Sequence, residues 1–162
     1  MKKDIIWAPW RIGYIVKIKK KGCFLCYSYK SRDDDKNFVV YRGKFSFVVM
    51  NIFPYNNGHL MVAPIRHLKN ITSLTEEEDR EIMELIKKSV KVLKKLLKPD
   101  GFNIGLNLGK MAGAGLENHI HFHIVPRWNG DTNFMPVISN TKVIPQSLSE
   151  LYLELIKEFK KG

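Results

Sequence analysis

Ile82, Ile86, Val90, Leu93 and Leu97 recur at steps of three and four, tracing one apolar stripe between polar positions. That period predicts an amphipathic helix from residue 75 to about residue 98. Thr75 with Glu78 makes a capping-box pattern, acids fill the first turn, and Pro99-Asp100-Gly101 stops the helix. A shorter amphipathic pattern spans 148–161. Elsewhere the apolar runs are short. Residues 38–41 and 45–50 read as strands joined by the turn Arg42-Gly43-Lys44, and 59–63 reads as a strand ended by Pro64. Residues 102–108 predict another strand, followed by a loop with Gly109, Gly113 and Gly115. The run His119-Ile120-His121-Phe122-His123-Ile124-Val125 alternates strictly. As a strand it would present His119, His121 and His123 on one face and bury Ile120, Phe122 and Ile124 behind them. Residues 1–22 lack clear periodicity and read as an N-terminal arm over the domain, while the polar stretch 28–37, with Asp33-Asp34-Asp35, reads as a loop. The order is an α+β meander in one domain, 1–162, without repeats or an interdomain linker.

Composition narrows this picture only modestly. A chain of 162 residues, 44% hydrophobic and 27% charged, can bury one respectable core. No apolar run reaches membrane-spanning length, and an acid, a proline and an arginine interrupt the first eleven residues too soon for a signal-peptide core. No membrane association is expected. The two cysteines, three positions apart, suit a metal better than a disulfide framework, and a cytoplasmic location follows as an expectation. The net charge of +11 favours polyanionic partners such as nucleotides. Its specificity is low, because Lys87, Lys88, Lys91, Lys94, Lys95 and Lys98 crowd one predicted helix, where a solvated face is the plainer explanation.

The histidine row adds chemistry. An imidazole titrates at about 6.5 when unperturbed, so it can act as nucleophile, proton shuttle or ligand, and several on one face can divide those tasks. A glycine-rich loop just upstream offers backbone N–H groups that can approach phosphate oxygens. Together they point to phosphorus chemistry, with an imidazole holding a phosphoryl or nucleotidyl group as a labile intermediate. A metal bound by the three histidines is the alternative. Cys23-Phe24-Leu25-Cys26 is open by itself: a metal knuckle, a packed thiol pair or a redox pair would each fit.

His119 to Val125 resembles the His-φ-His-φ-His-φ-φ signature of the histidine-triad family of nucleotidyl hydrolases and transferases, and the resemblance covers most of the chain. Asn51, eight residues before His59, resembles the family's nucleoside-binding segment, and Pro64-Ile65-Arg66-His67 its strand-ending Pro-x-x-His. The stretches Gly105-Leu106-Asn107-Leu108-Gly109, Ala112-Gly113-Ala114-Gly115, Pro126-Arg127-Trp128 and Gly130-Asp131-Thr132-Asn133-Phe134, with Trp7-Ala8-Pro9-Trp10-Arg11, resemble the prokaryotic diadenosine-tetraphosphate phosphorylase or hydrolase branch, related to the fragile-histidine-triad proteins.

The resemblance implies a sheet of about five antiparallel strands with one long helix and a C-terminal helix, residues 131–162 forming a C-terminal extension. It implies cleavage of diadenosine polyphosphates by phosphorolysis or hydrolysis, with inorganic phosphate or water as acceptor. Its catalytic set here is His121 as nucleophile, His123 as phosphate partner, His59 as orienting neighbour, and His119. Asn51 would hold the ribose, and Asn107 with Gly113, Ala114 and Gly115 the phosphates; Ile52, Phe53 and Leu60 are candidates for the adenine slot. Leu116-Glu117-Asn118 stands where related proteins carry Gln, Ser or Thr near the phosphate, so no residue is assigned to leaving-group protonation. The resemblance further implies structural zinc on Cys23, Cys26, His67 and His119, and a homodimer. A nucleoside phosphoramidase, a hydrolase of other adenylylated compounds, or a basic nucleotide- or nucleic-acid-binding module would use the same residues. No recognisable nucleic-acid motif accompanies the triad, which argues against nucleic acid as a partner.

Overall fold

The computed structural model describes residues 22–131 and 143–161. The N-terminal arm, its Trp7 to Arg11 motif and part of the C-terminal extension lie outside the described residues. In chain order come α1 (Phe24–Lys30), α2 (Asp34–Asn37), β1 (Val39–Arg42), β2 (Ser46–Met50), β3 (Leu60–Pro64), α3 (Glu76–Leu97), β4 (Gly101–Leu106), β5 (Phe122–Arg127) and α4 (Leu148–Phe159). The α+β expectation holds, with five antiparallel strands. The order β1-β2-β3-β5-β4 departs from a plain meander. The long α3 carries the chain past the β5 position, so β4 forms an edge and β5 fills the gap beside β3.

The capping box reads true. Glu78 N–H donates to Thr75 Oγ1, and the Glu78 carboxylate accepts from Thr75 N–H. That carboxylate is buried and also holds the Arg66 guanidinium at 2.6–2.7 Å, so the start of α3 is tied to the segment leaving β3. One expectation fails between residues 28 and 37, where a loop gives way to the end of α1 and to α2. They are one to two turns long, too short for a hydrophobic period, and contacts from elsewhere hold them. Arg42 pairs with Asp34 and donates to the Tyr29 carbonyl.

The central strands β2 and β3 are covered on both faces. Val48, Met50, Leu60, Val62 and Ile124 meet the apolar stripes of α3 and α4, including Ile82, Ile86, Leu93, Leu151 and Leu155. Phe47, Val49, Met61 and Ala63 point the other way, against Leu25 of α1. The odd-numbered side of β3 and β5 is therefore where α1 and the histidines sit. Gly58 makes this arrangement possible. Its φ is +74°, and a Cβ there would stand 2.5 Å from Leu97 Cδ1, so only glycine lets the loop pass over α3 into His59.

Candidate functional site

Strand β5 begins at Phe122, so His119 and His121 precede it and only His123 lies within the ladder. The alternation survives, because Ile120 and Ile124 are buried and Phe122 packs against the α3 side. A single row of three equivalent imidazoles does not form. The rings of His121 and His123 lie 4.8 Å apart, centre to centre, whereas the His119 ring pairs with His67 at 5.0 Å. His119 is held by Pro64, whose carbonyl accepts its Nε2–H at 2.9 Å, and by Ile120 N–H donating to the Leu68 carbonyl.

Hydrogen bonds decide the tautomer of each ring. His121 Nδ1 faces the His119 carbonyl at 2.9 Å. A carbonyl only accepts, so Nδ1 carries the proton and the Nε2 lone pair is left free. His59 Nδ1 faces two N–H donors, the Tyr55 backbone at 3.1 Å and Asn51 Nδ2 at 3.3 Å. It must be the bare nitrogen, and His59 Nε2–H then donates to His123 Nδ1 at 2.9 Å. His123 in turn keeps its proton on Nε2, turned outward as a donor. One loop-borne backbone amide thus sets the donor direction along two imidazoles.

Burial reinforces neutrality. It pushes His59 down to about 3, aided by the charges of His123 and His121, and His123 down to about 4, aided by His121. His121 is lowered by burial too, against the opposing effect of its bond to the His119 carbonyl. Near pH 7 these imidazoles are neutral, as a nucleophile and its neutral donor require.

The loop 51–59 delivers Asn51, Tyr55 and His59 together. Phe53 N–H donates to Asn51 Oδ1, and Asn51 N–H to the His59 carbonyl, closing the loop on itself. Asn56 bonds the Pro126 carbonyl and Asp131, which fastens the loop to the end of β5. Ile52 is exposed and Phe53 half-buried beside Asn51, open to a ligand. Leu60 is not: it is fully buried among the α3 contacts, on the sheet face opposite His59. Strand geometry removes it from the base-contact set, since successive side chains point to opposite faces. Tyr55 was missed from the sequence. Its ring lies 4.7 Å from that of His59 and 5.6 Å from that of His123, and the only signal was its place in the loop before His59.

Leu106 with Phe122 is the last pair of the β4–β5 ladder, so Asn107 is the first residue beyond it. Gly113, at φ +87°, lies beside the Asn107 amide, bringing Asn107 and the glycine loop together. Gly115 is exposed, whereas the Ala114 side chain is buried, so at Ala114 only backbone could face a ligand.

Beneath His121 the ligand atoms of Cys23, Cys26, His67 and His119 all lie within 4.8 Å of one another. Cys23 Sγ is 3.1 Å from His119 Nδ1, and Cys26 Sγ is 3.3 Å from His67 Nδ1 and 3.4 Å from His119 Nδ1. The Pro64 carbonyl holds the His119 proton on Nε2, so Nδ1 turns a lone pair toward both sulfurs. Burial pushes the Cys23 thiol up to about 11, so a thiolate there calls for a cation. Two sulfurs, two imidazole nitrogens and a carbonyl that fixes one ring fit a closed tetrahedral zinc site.

Comparison with known proteins agrees with this geometry. Residues 32–130 match the family model described as HIT domain. A Mycobacterium tuberculosis protein named AP-4-A phosphorylase is 40% identical over 153 residues, covering 90% of this chain and 78% of that protein. A Schizosaccharomyces pombe protein named bis(5'-nucleosyl)-tetraphosphatase (asymmetrical) is 31% identical over 116 residues, covering 71% of this chain and 63% of its own. The crystal structure of a Zn-bound histidine triad family protein from Mycobacterium smegmatis matches with a TM-score of 0.69 at 24% identity, over 86% of this chain and 94% of that one. At that identity the likeness speaks for the fold.

Proposed function

The chain belongs to the HIT domain family, and from that premise we propose that it splits diadenosine polyphosphates, diadenosine tetraphosphate first among them, by nucleotidyl transfer through His121. The observation that carries this reading is the His121 Nδ1–H bond to the His119 carbonyl, which leaves Nε2 unprotonated beside His123.

His121 Nε2 attacks the α-phosphorus. An N–P bond forms, the Pα–O bridge breaks, and ATP leaves from the tetraphosphate, with adenylate retained on His121. His123, with its proton held on Nε2 by His59, donates to the phosphate oxygens that gain charge. Asn51 holds the ribose, Ile52 and Phe53 the base, and Asn107 with the Gly113–Gly115 backbone the phosphates. Inorganic phosphate then attacks the adenylate and releases ADP. The 40% identity to a protein named AP-4-A phosphorylase supports phosphate as the acceptor; water in its place would give AMP. Incubation with diadenosine tetraphosphate, with and without phosphate, tests the reading by chromatography. ADP plus ATP only with phosphate is expected, AMP plus ATP in water would make the enzyme a hydrolase, and no cleavage in either condition overturns the proposal.

Zinc on Cys23, Cys26, His67 and His119 supplies a structural anchor for the segment before β5. The donor set supports it, and two thiols reserved for a metal suit the cytoplasm. No helix among the described residues is long and apolar enough to cross a membrane. β4 is an edge strand with Ile104 half exposed, which supports a homodimer joined along that edge.

A further inference from the structure

A groove of about 240 Å³ opens beside His123, lined by Tyr55, Asn56, Asn103, Val125 and Arg127. It follows from the strand register. His123, Val125 and Arg127 share one face of β5, and their partners on β4 are Gly105, Asn103 and Gly101. Two of those three partners lack side chains, and a Cβ at Gly101 or Gly105 would meet nothing within 4 Å. The face is kept low on both sides of Asn103. Residues two apart on a strand face are about 7 Å apart, so the groove starts one such step beyond His123, within reach of a short phosphate chain.

Its walls are flat. Tyr55 rests one side of its ring against His59 and His123, yet the residue is 53% exposed. Arg127 donates from Nε and Nη2 to Asp131 and from Nη1 to Asn103. The guanidinium's edge and charge are thereby taken up by Asp131 and its plane is held, which suits it less to capturing a phosphate than to stacking its planar face on an aromatic ring. Val125 supplies an apolar floor.

We propose that this groove is the subsite for the base of the leaving nucleotide, held between Tyr55 and Arg127. The inference rests on the cleavage reading above and adds where the second nucleoside goes. It predicts a preference for dinucleotides over mononucleotides with equally long phosphate chains.

The test compares kcat/KM for diadenosine tetraphosphate with that for adenosine 5'-tetraphosphate, which lacks the second nucleoside. The ratio between substrates cancels any general disturbance of His59 or His123. Tyr55→Ala is expected to lower the ratio by about ten-fold and Tyr55→Phe to restore it. Asn103→Ala, which removes the Nη1 bond and leaves the guanidinium held by Asp131 alone, is expected to lower it by about three-fold. Equal losses on both substrates, or no loss on either, overturn the subsite. A wild-type protein that cleaves neither substrate overturns the cleavage reading instead, and the subsite with it.

Discussion

His119 and His121 stand two residues apart, and the fold turns opposite nitrogens of their rings toward chemistry. In His119 the Pro64 carbonyl takes the Nε2 proton, and the Nδ1 lone pair faces the sulfurs of Cys23 and Cys26. In His121 the His119 carbonyl takes the Nδ1 proton, and the Nε2 lone pair is left for substrate. In the proposed function the same side chain serves as a ligand in one place and a nucleophile in the other. What differs is which ring nitrogen meets a backbone carbonyl. The second arrangement also depends on the first, because the carbonyl that orients His121 belongs to the residue anchored by the cysteine cluster.

Removing the nucleophile separates the two regions most sharply. His121→Ala should lower kcat for diadenosine tetraphosphate by about 10⁴-fold while leaving bound zinc unchanged. Both are read on one preparation by product chromatography and metal analysis, and more than a few per cent residual turnover would remove His121 from the mechanism. Attacking the other region should do the reverse in sequence. Cys23→Ser should reduce zinc from about one per chain and lower the thermal midpoint by about 10 °C, with activity falling as the His119 carbonyl loses its place. If the wild type purified without added metal carries no zinc, the cysteine cluster is a packed thiol pair.

The smallest expected effect concerns protons. His59 is held at about 3 in the folded state, chiefly by burial, whereas the unfolded side chain titrates at about 6.5. Below about pH 6.5 the unfolded chain binds a proton that the native His59 refuses, so stability is full above that pH and falls as the pH drops toward 3. Between pH 7 and pH 5 this single group should cost about 2 kcal/mol, measured by urea unfolding. His59→Gln should flatten that part of the profile, and an unchanged profile would mean that His59 is not buried in its neutral form.

Much of this was legible in the chain. Thr75, Glu78 and the stripe from Ile82 to Leu97 identify α3 without help, because a long helix repeats its period and carries its own cap. The triad motif with Asn51 and His59 pointed to the reactive site, and the Cys23, Cys26, His67 and His119 set was assembled through the resemblance. Leu60 shows where reading stops. β2 and β3 are buried on both faces, so no alternation of polar and apolar residues tells which side of the sheet a given residue meets. α1 and α2 escaped for another reason: at seven and four residues they are too short to show a period and are held by Arg42 and the sheet.

By itself the sequence determined the types of the longer elements, the cap of α3 and the local motifs that carry chemistry, since these depend on neighbours within a few positions along the chain. Only the tertiary structure decided which face each strand residue takes and which nitrogen each histidine offers. Those choices rest on single carbonyls and amides brought from far away, Pro64 to His119 across 55 residues and His59 to His123 across 64. A hydrogen bond that fixes a tautomer leaves no periodic trace in the sequence that makes it.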